Sequence, residues 1–203
     1  MIAGLDPATV VSFLGAGILL NLTPGADVMF ASASGLAGGP RSGIAAALGV
    51  ALGGVFHTCL AAAGLAALLA ASPLAFEALR YLGAAYLLYL AVQAWRAGVA
   101  RARSGPAGRG RALRRGFVTN VLNPKVSLFV LAFLPQFTSP EAGPVWLQIL
   151  ALGLLFSATG FVVTAGYGVL AGVAGRAPGR GAGWLNKLAA LVFCGLAARL
   201  LLD

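Results

Sequence analysis

Charge is what this chain has least of. Charged residues fill 9% of its 203 positions, against about a quarter in a soluble domain, and only five are acidic. That inventory cannot cover a water-soluble fold of this length. Histidine is nearly absent: His57 stands alone, and a lone histidine makes a poor metal site. There is no HExxH, no Ser/His/Asp set and no cysteine–histidine cluster. Enzyme chemistry, metals and cofactors are therefore not expected. Cys59 and Cys194 both fall in apolar runs and read as small core hydrophobes, not a disulfide. The first basic residue is Arg41, so no charged leader precedes the first apolar run and no secretory signal is expected.

What is abundant is apolar length. Hydrophobic residues make up 60% of the chain, and a spanning helix needs roughly 20 of them in a row. Six segments qualify, at about 10–34, 44–71, 73–97, 116–137, 145–172 and 184–202. The expected fold is an all-α integral membrane protein of six transmembrane helices, one domain over 1–203. Gly38-Gly39-Pro40 marks a loop after the first span. Residues 98–115 form a Gly/Ala/Arg-rich linker that reads as disordered. Trp95, Trp146 and Trp184 fall at predicted helix ends, where an interfacial aromatic belt places them.

The net charge of +9 suggests nucleic acid in a soluble protein, but here the basic residues sit between apolar runs, so topology explains them better. Six spans put eleven Lys and Arg residues on one side and two, Arg80 and Arg199, on the other. The positive-inside rule then places both termini outside the cytoplasm.

Two apolar runs are broken by proline. In Asn21-Leu22-Thr23-Pro24-Gly25-Ala26-Asp27, Pro24 cannot donate to the carbonyl of Leu20, Gly25 loosens the backbone, and Asp27 brings a carboxyl group to an expensive place. Asn123-Pro124-Lys125 repeats the break in the second half with the opposite charge and frees the carbonyl of Asn120. Three helices on each side of a linker enter the membrane from opposite faces, so the expected plan is a 3+3 inverted repeat with a broken first helix in each half. In transporters of this plan the site lies where the breaks meet.

Freed carbonyls, half-helix amides, one acid and one base suit a ligand carrying both an ammonium and a carboxylate. A free amino acid is such a ligand, though other small polar solutes could use the same groups. Asn21, Thr23, Asn120 and Asn123 either touch that ligand or satisfy backbone groups released by the prolines. Asp27 and Lys125 have a plainer reading too, as a buried ion pair or with Asp27 hydrated at the cytoplasmic edge. His57 and Gln136 are outlying candidates. Gly49-Val50-Ala51-Leu52-Gly53 and Gly168-Val169-Leu170-Ala171-Gly172 fit close helix packing, either inside the bundle or in a homodimer.

Thr23-Pro24-Gly25-Ala26-Asp27, the Gly49–Gly53 motif and Leu82-Gly83-Ala84-Ala85-Tyr86-Leu87 resemble the lysine exporter (LysE/RhtB-type) family. So do Gly116-Phe117-Val118-Thr119-Asn120-Val121-Leu122-Asn123-Pro124-Lys125 and Phe133-Leu134-Pro135-Gln136-Phe137. Ala26 stands where the family pattern usually has a second proline. The resemblance implies a six-helix exporter of amino acids or their derivatives in the bacterial inner membrane. The expectation is proton-driven alternating access, with Asp27 carrying the proton or binding the ammonium and Lys125 binding the carboxylate. A passive channel and a membrane scaffold are the alternatives.

Overall fold

A computed structural model describes residues 3–23, 25–71 and 108–174, together with isolated helical positions from Tyr81 to Arg96 and at Leu191 and Cys194. Pro24 and most of the expected third and sixth helices lie outside the described residues. Among the described residues the chain is helical and without strands.

The first span is two helices, α1 (Pro7–Leu22) and α2 (Ala26–Gly38), bent by 52° at the first break. Asp6 caps α1, its carboxylate accepting from the Thr9 amide at 3.0 Å, with Pro7 in the first turn. The helix therefore starts a turn earlier than about residue 10. The loop expected from Gly35 is also shorter: α2 runs on to Gly38, and α3 (Pro40–Ala71) begins after Gly39 alone, at φ +74°. Glycine tolerates that dihedral, and Pro40 suits a helix's first position.

The next described helix is α4 (Arg109–Val121), so the last part of the expected linker is helical. Arginine and alanine are good helix formers, and Ala112 is fully buried against Ala31 and Ala46. The second break leads into α5 (Pro124–Leu128), which continues as a π-helical turn over Phe129–Phe133 and a 3-10 turn over Leu134–Phe137. Pro135 explains the change, since it has no N–H for the carbonyl one turn back. The α4 and α5 limbs also meet at 52°. A turn at Pro140–Ala142 precedes α6 (Val145–Ala174). Among the described residues α3 and α6 are long and apolar enough to cross a membrane, and each bent pair passes the same test when its two limbs are taken as one span.

The bundle is built differently at its two ends. At one end Phe13, Phe129, Phe133, Phe137 and Phe156 interlock, with ring centroids 4.8–6.3 Å apart. At the other end glycines bring backbones together. A Cβ added at Gly35 falls 2.0 Å from the Gly168 carbonyl oxygen, at Gly49 2.0 Å from that of Leu113, and at Gly116 2.3 Å from that of Ala46. Both glycine motifs thus serve contacts inside the chain: Gly49 and Gly53 against α4, Gly168 and Gly172 against α3.

Charge follows the same polarity. Arg41, Arg109, Arg111, Arg114 and Arg115 lie on the end turns of α3 and α4 at the glycine end. Asp6 and Glu141 flank α1 and α6 at the phenylalanine end, where Gly4 abuts Ala142. Cys59 and Cys194 are free thiols but exposed. They face the surroundings of the bundle and not its core, a correction to the expectation. In an apolar medium an outward thiol is not penalised.

Candidate functional site

The two breaks face each other, and each supplies what the other lacks. Pro124 starts α5 with Asn123 as its cap, the Asn123 Oδ1 accepting from the Lys125 amide at 3.1 Å. That turn sends the Lys125 side chain across to the first break. There its Nζ donates to the carbonyl oxygens of Leu20 at 2.9 Å and Thr23 at 3.0 Å. The Leu20 carbonyl is the one that Pro24 cannot serve. A cation at the C-terminal end of α1 also complements the helix dipole. Gly25 lies beside it: a Cβ there would sit 3.5 Å from Nζ, an ordinary contact.

In return, α4 and α5 hold Asp27. Its Oδ2 accepts from Asn120 Nδ2 at 2.8 Å and Asn123 Nδ2 at 3.0 Å. Asp27 lies in the first turn of α2, where the dipole favours an anion. The plain ion pair is not what forms: Lys125 donates to carbonyls, and Asp27 accepts from amides. Asp27 stands about 17 Å along the helix axis from Gly38, at 1.5 Å per residue, a length close to half of a hydrocarbon core of about 30 Å.

The carbonyl freed at the second break goes to His57. Its Nε2 lies 3.3 Å from the Asn120 carbonyl oxygen and 3.2 Å from Ser127 Oγ. A carbonyl can only accept, so Nε2 carries the proton. Ser127 in turn donates to the Asn123 carbonyl at 3.0 Å. His57 therefore supports the site from behind. Asn21 donates to the Phe156 carbonyl and to Thr159 Oγ1, at 3.3 and 3.2 Å, which ties α1 to α6. Thr23 Oγ1 donates to the Leu19 carbonyl at 2.8 Å. Gln136 is apart from all of this, donating to the Ala132 carbonyl at 2.7 Å beside the 3-10 turn.

Between the breaks lies a cavity of about 30 Å³, room for about one or two waters. Asn21, Thr23, Gly25, Asp27, Asn120, Asn123 and Lys125 all line it. Its opposite wall comes from residues that sequence reasoning missed: Val50, Ala51 and Gly54 of α3, and Phe156, Ser157, Gly160 and Thr164 of α6. The signal was available, because Ser157, Gly160 and Thr164 recur on one face of an otherwise apolar helix. Three lining residues present buried oxygens with no hydrogen-bond partner in the protein: Asp27 Oδ1, Asn120 Oδ1 and Ser157 Oγ. Such atoms are costly to bury unless something donates to them. The amides opening α2 have no side-chain cap either, Gly25 having none to offer. The site thus pairs uncommitted acceptors with uncommitted donors. Among the described residues no cluster of His, Cys, Asp and Glu could hold a metal ion.

Comparison with known proteins agrees with this architecture. The chain is similar to a homoserine/homoserine lactone efflux protein of Salmonella typhimurium (36% identity over 79% of each chain) and to a leucine efflux protein of Klebsiella pneumoniae (35% identity over 98% of each). An uncharacterized membrane protein of Vibrio cholerae is 33% identical over 85% of each chain. No solved structure matches. The family model for LysE type translocators matches residues 18–203, and with the proline-broken spans and the site they enclose, it makes this chain a member of the LysE translocator family.

Proposed function

We propose that the protein exports amino acids or close derivatives from the cytoplasm through the cavity between the two breaks. The observation that carries this reading is the set of uncommitted groups lining it. Asp27 Oδ1, Asn120 Oδ1 and Ser157 Oγ are free to accept and together suit an ammonium, with Asp27 supplying the charge. Lys125 has three N–H donors and commits two to carbonyls. Its third, with the uncapped amides of α2, suits a carboxylate. The named efflux relatives handle leucine in one case and homoserine or its lactone in another, which supports the amino-acid class without choosing a member.

The cavity is smaller than an amino acid, so loading requires one end of the bundle to part. The two breaks are the natural hinges, since proline and glycine already interrupt the helical hydrogen bonds there. The glycine end, rich in arginine, faces the cytoplasm under the positive-inside rule. Both termini then lie outside the cytoplasm, in the bacterial inner membrane. Export is driven by protons, with Asp27 as the carrier: it releases its ammonium when protonated and regains it when charged.

The test is efflux of preloaded radiolabelled leucine and homoserine from cells carrying the wild type or Asp27→Asn. Wild-type efflux of at least one substrate is expected to run uphill, to steepen with the pH gradient and to stop when a protonophore collapses it. In Asp27→Asn it is expected to fall about 10- to 100-fold, the worth of one hydrogen bond to a charged group. Undiminished, pH-dependent efflux from the variant overturns the assignment. Downhill-only flux insensitive to the protonophore makes the protein a passive channel.

A further inference from the structure

The bundle carries a second recess, on the glycine end and separate from the site between the breaks. A groove of about 700 Å³ is lined by Arg111, Arg114, Arg115, Val118 and Thr119 of α4 and by Phe30 of α2. The spacing of Arg111, Arg114, Arg115 and Val118 places all four on one face of the helix. The three arginines are exposed. Among the described residues no carboxylate is within reach to neutralise them: Asp6 and Glu141 lie at the other end of the bundle, and Asp27 accepts from Asn120 and Asn123. Glu77 and Asp203 lie outside the described residues. Among the described residues none of the three arginines makes an ion pair.

The groove changes character with depth. From Arg111 to Val118 is about 10 Å along the helix axis, directed from the basic end toward the second break. The surface along that path passes from three guanidinium groups to Val118, which is 45% exposed, and Phe30. A soluble anion would use only the first part. A molecule with an anionic head and an apolar tail uses both, in the order in which a lipid lies in its leaflet. We infer that this groove binds an anionic phospholipid, its phosphate on Arg111, Arg114 and Arg115 and an acyl chain along Val118 and Phe30. Guanidinium forks match phosphate oxygens, and basic pockets between helices on the cytoplasmic side suit anionic headgroups.

The test uses the full chain reconstituted in phosphatidylcholine vesicles containing a minor fraction of phosphatidylglycerol. After mild detergent extraction, the lipids that remain bound are counted by native mass spectrometry. Phosphatidylglycerol is expected to be retained over phosphatidylcholine. Arg111→Gln, Arg114→Gln and Arg115→Gln should each weaken that retention roughly fivefold. Arg109→Gln removes the same charge from the same helix end but does not line the groove, so it should leave retention unchanged. Each single variant keeps the other basic residues of the helix, which protects insertion and folding. Equal retention of the two lipids overturns the inference, as does an Arg109→Gln effect as large as the others. Displacement of the lipid by inorganic phosphate, but not by chloride at matched ionic strength, overturns it in favour of a soluble-anion site.

Discussion

The two proline breaks bend the chain by the same 52° yet are finished in different ways. At the first, the carbonyl left by proline is taken by a charged side chain, Lys125, which comes from the other break. At the second it is taken by the His57 ring, from a helix that belongs to neither. The amides differ too. Asn123 closes the start of α5 on itself, whereas Gly25 leaves the start of α2 uncapped. The backbone of break two is therefore satisfied without a ligand, and that of break one is not. In the proposed site the second half of the chain presents Asn120, Asn123 and Lys125, and the first half holds Asp27.

Removing the strongest link should have the largest effect. Lys125→Met leaves the Thr23 carbonyl without that donor and the Leu20 carbonyl with the Thr23 amide alone, at a cost of about 1–3 kcal/mol. Thermal unfolding in detergent should show a clear drop, with partial recovery in Lys125→Arg. Next come the amides that hold Asp27. Asn120→Ala and Asn123→Ala each take one donor from Oδ2 and should weaken substrate binding about tenfold, measured by isotope exchange in proteoliposomes. Asn123→Ala should do more, because it also strips the cap from α5.

The comparison can be sharpened by making the breaks alike. Gly25→Ser gives α2 the cap it lacks, and the added Cβ meets Lys125 at an ordinary 3.5 Å. Stability should rise by about a few tenths of a kcal/mol, while transport falls severalfold because the amides are occupied. A variant that gains stability and keeps full transport would show that those amides play no part.

Much of this contrast was legible in the sequence, and the reasons are local. A missing N–H is a property of proline itself, so Pro24 and Pro124 announced which carbonyls would be freed. What claims those carbonyls depends on packing across the bundle. Neither Lys125 at Leu20 nor His57 at Asn120 could be read from spacing. The depth of Asp27 turned on where α2 ends, and small residues hid that boundary: Gly35 and Gly38 break an isolated helix but favour a packed one. The α6 wall was missed because Ser157, Gly160 and Thr164 are unremarkable singly and meaningful only as one face. The linker misled through composition, since Arg109 to Arg115 is charged like a disordered segment but helical once Ala112 is buried.

Smaller effects remain. His57→Phe leaves the Asn120 carbonyl with the Asn123 amide alone and should cost about 1 kcal/mol, largely restored in His57→Gln. At the far end, Asp6 is held below the usual carboxylate range by the Thr9 hydroxyl and amide. Its folded pKa is depressed, so its contribution is present above the unfolded value and is lost as pH falls through the folded one. Asp6→Ala should thus lower the melting temperature slightly at neutral pH, and the difference from wild type should vanish in acid.

The central claim is that Asp27 and Lys125, brought from separate halves of the chain, act as one site without an ion pair between them. A double-mutant cycle on efflux rate tests it most directly, with Asp27→Asn, Lys125→Gln and the two combined. Residues that act on one ligand as a unit lose their function once, so the double variant should be no worse than the poorer single variant. Losses that multiply, each substitution costing as much in the presence of the other as alone, would contradict the account.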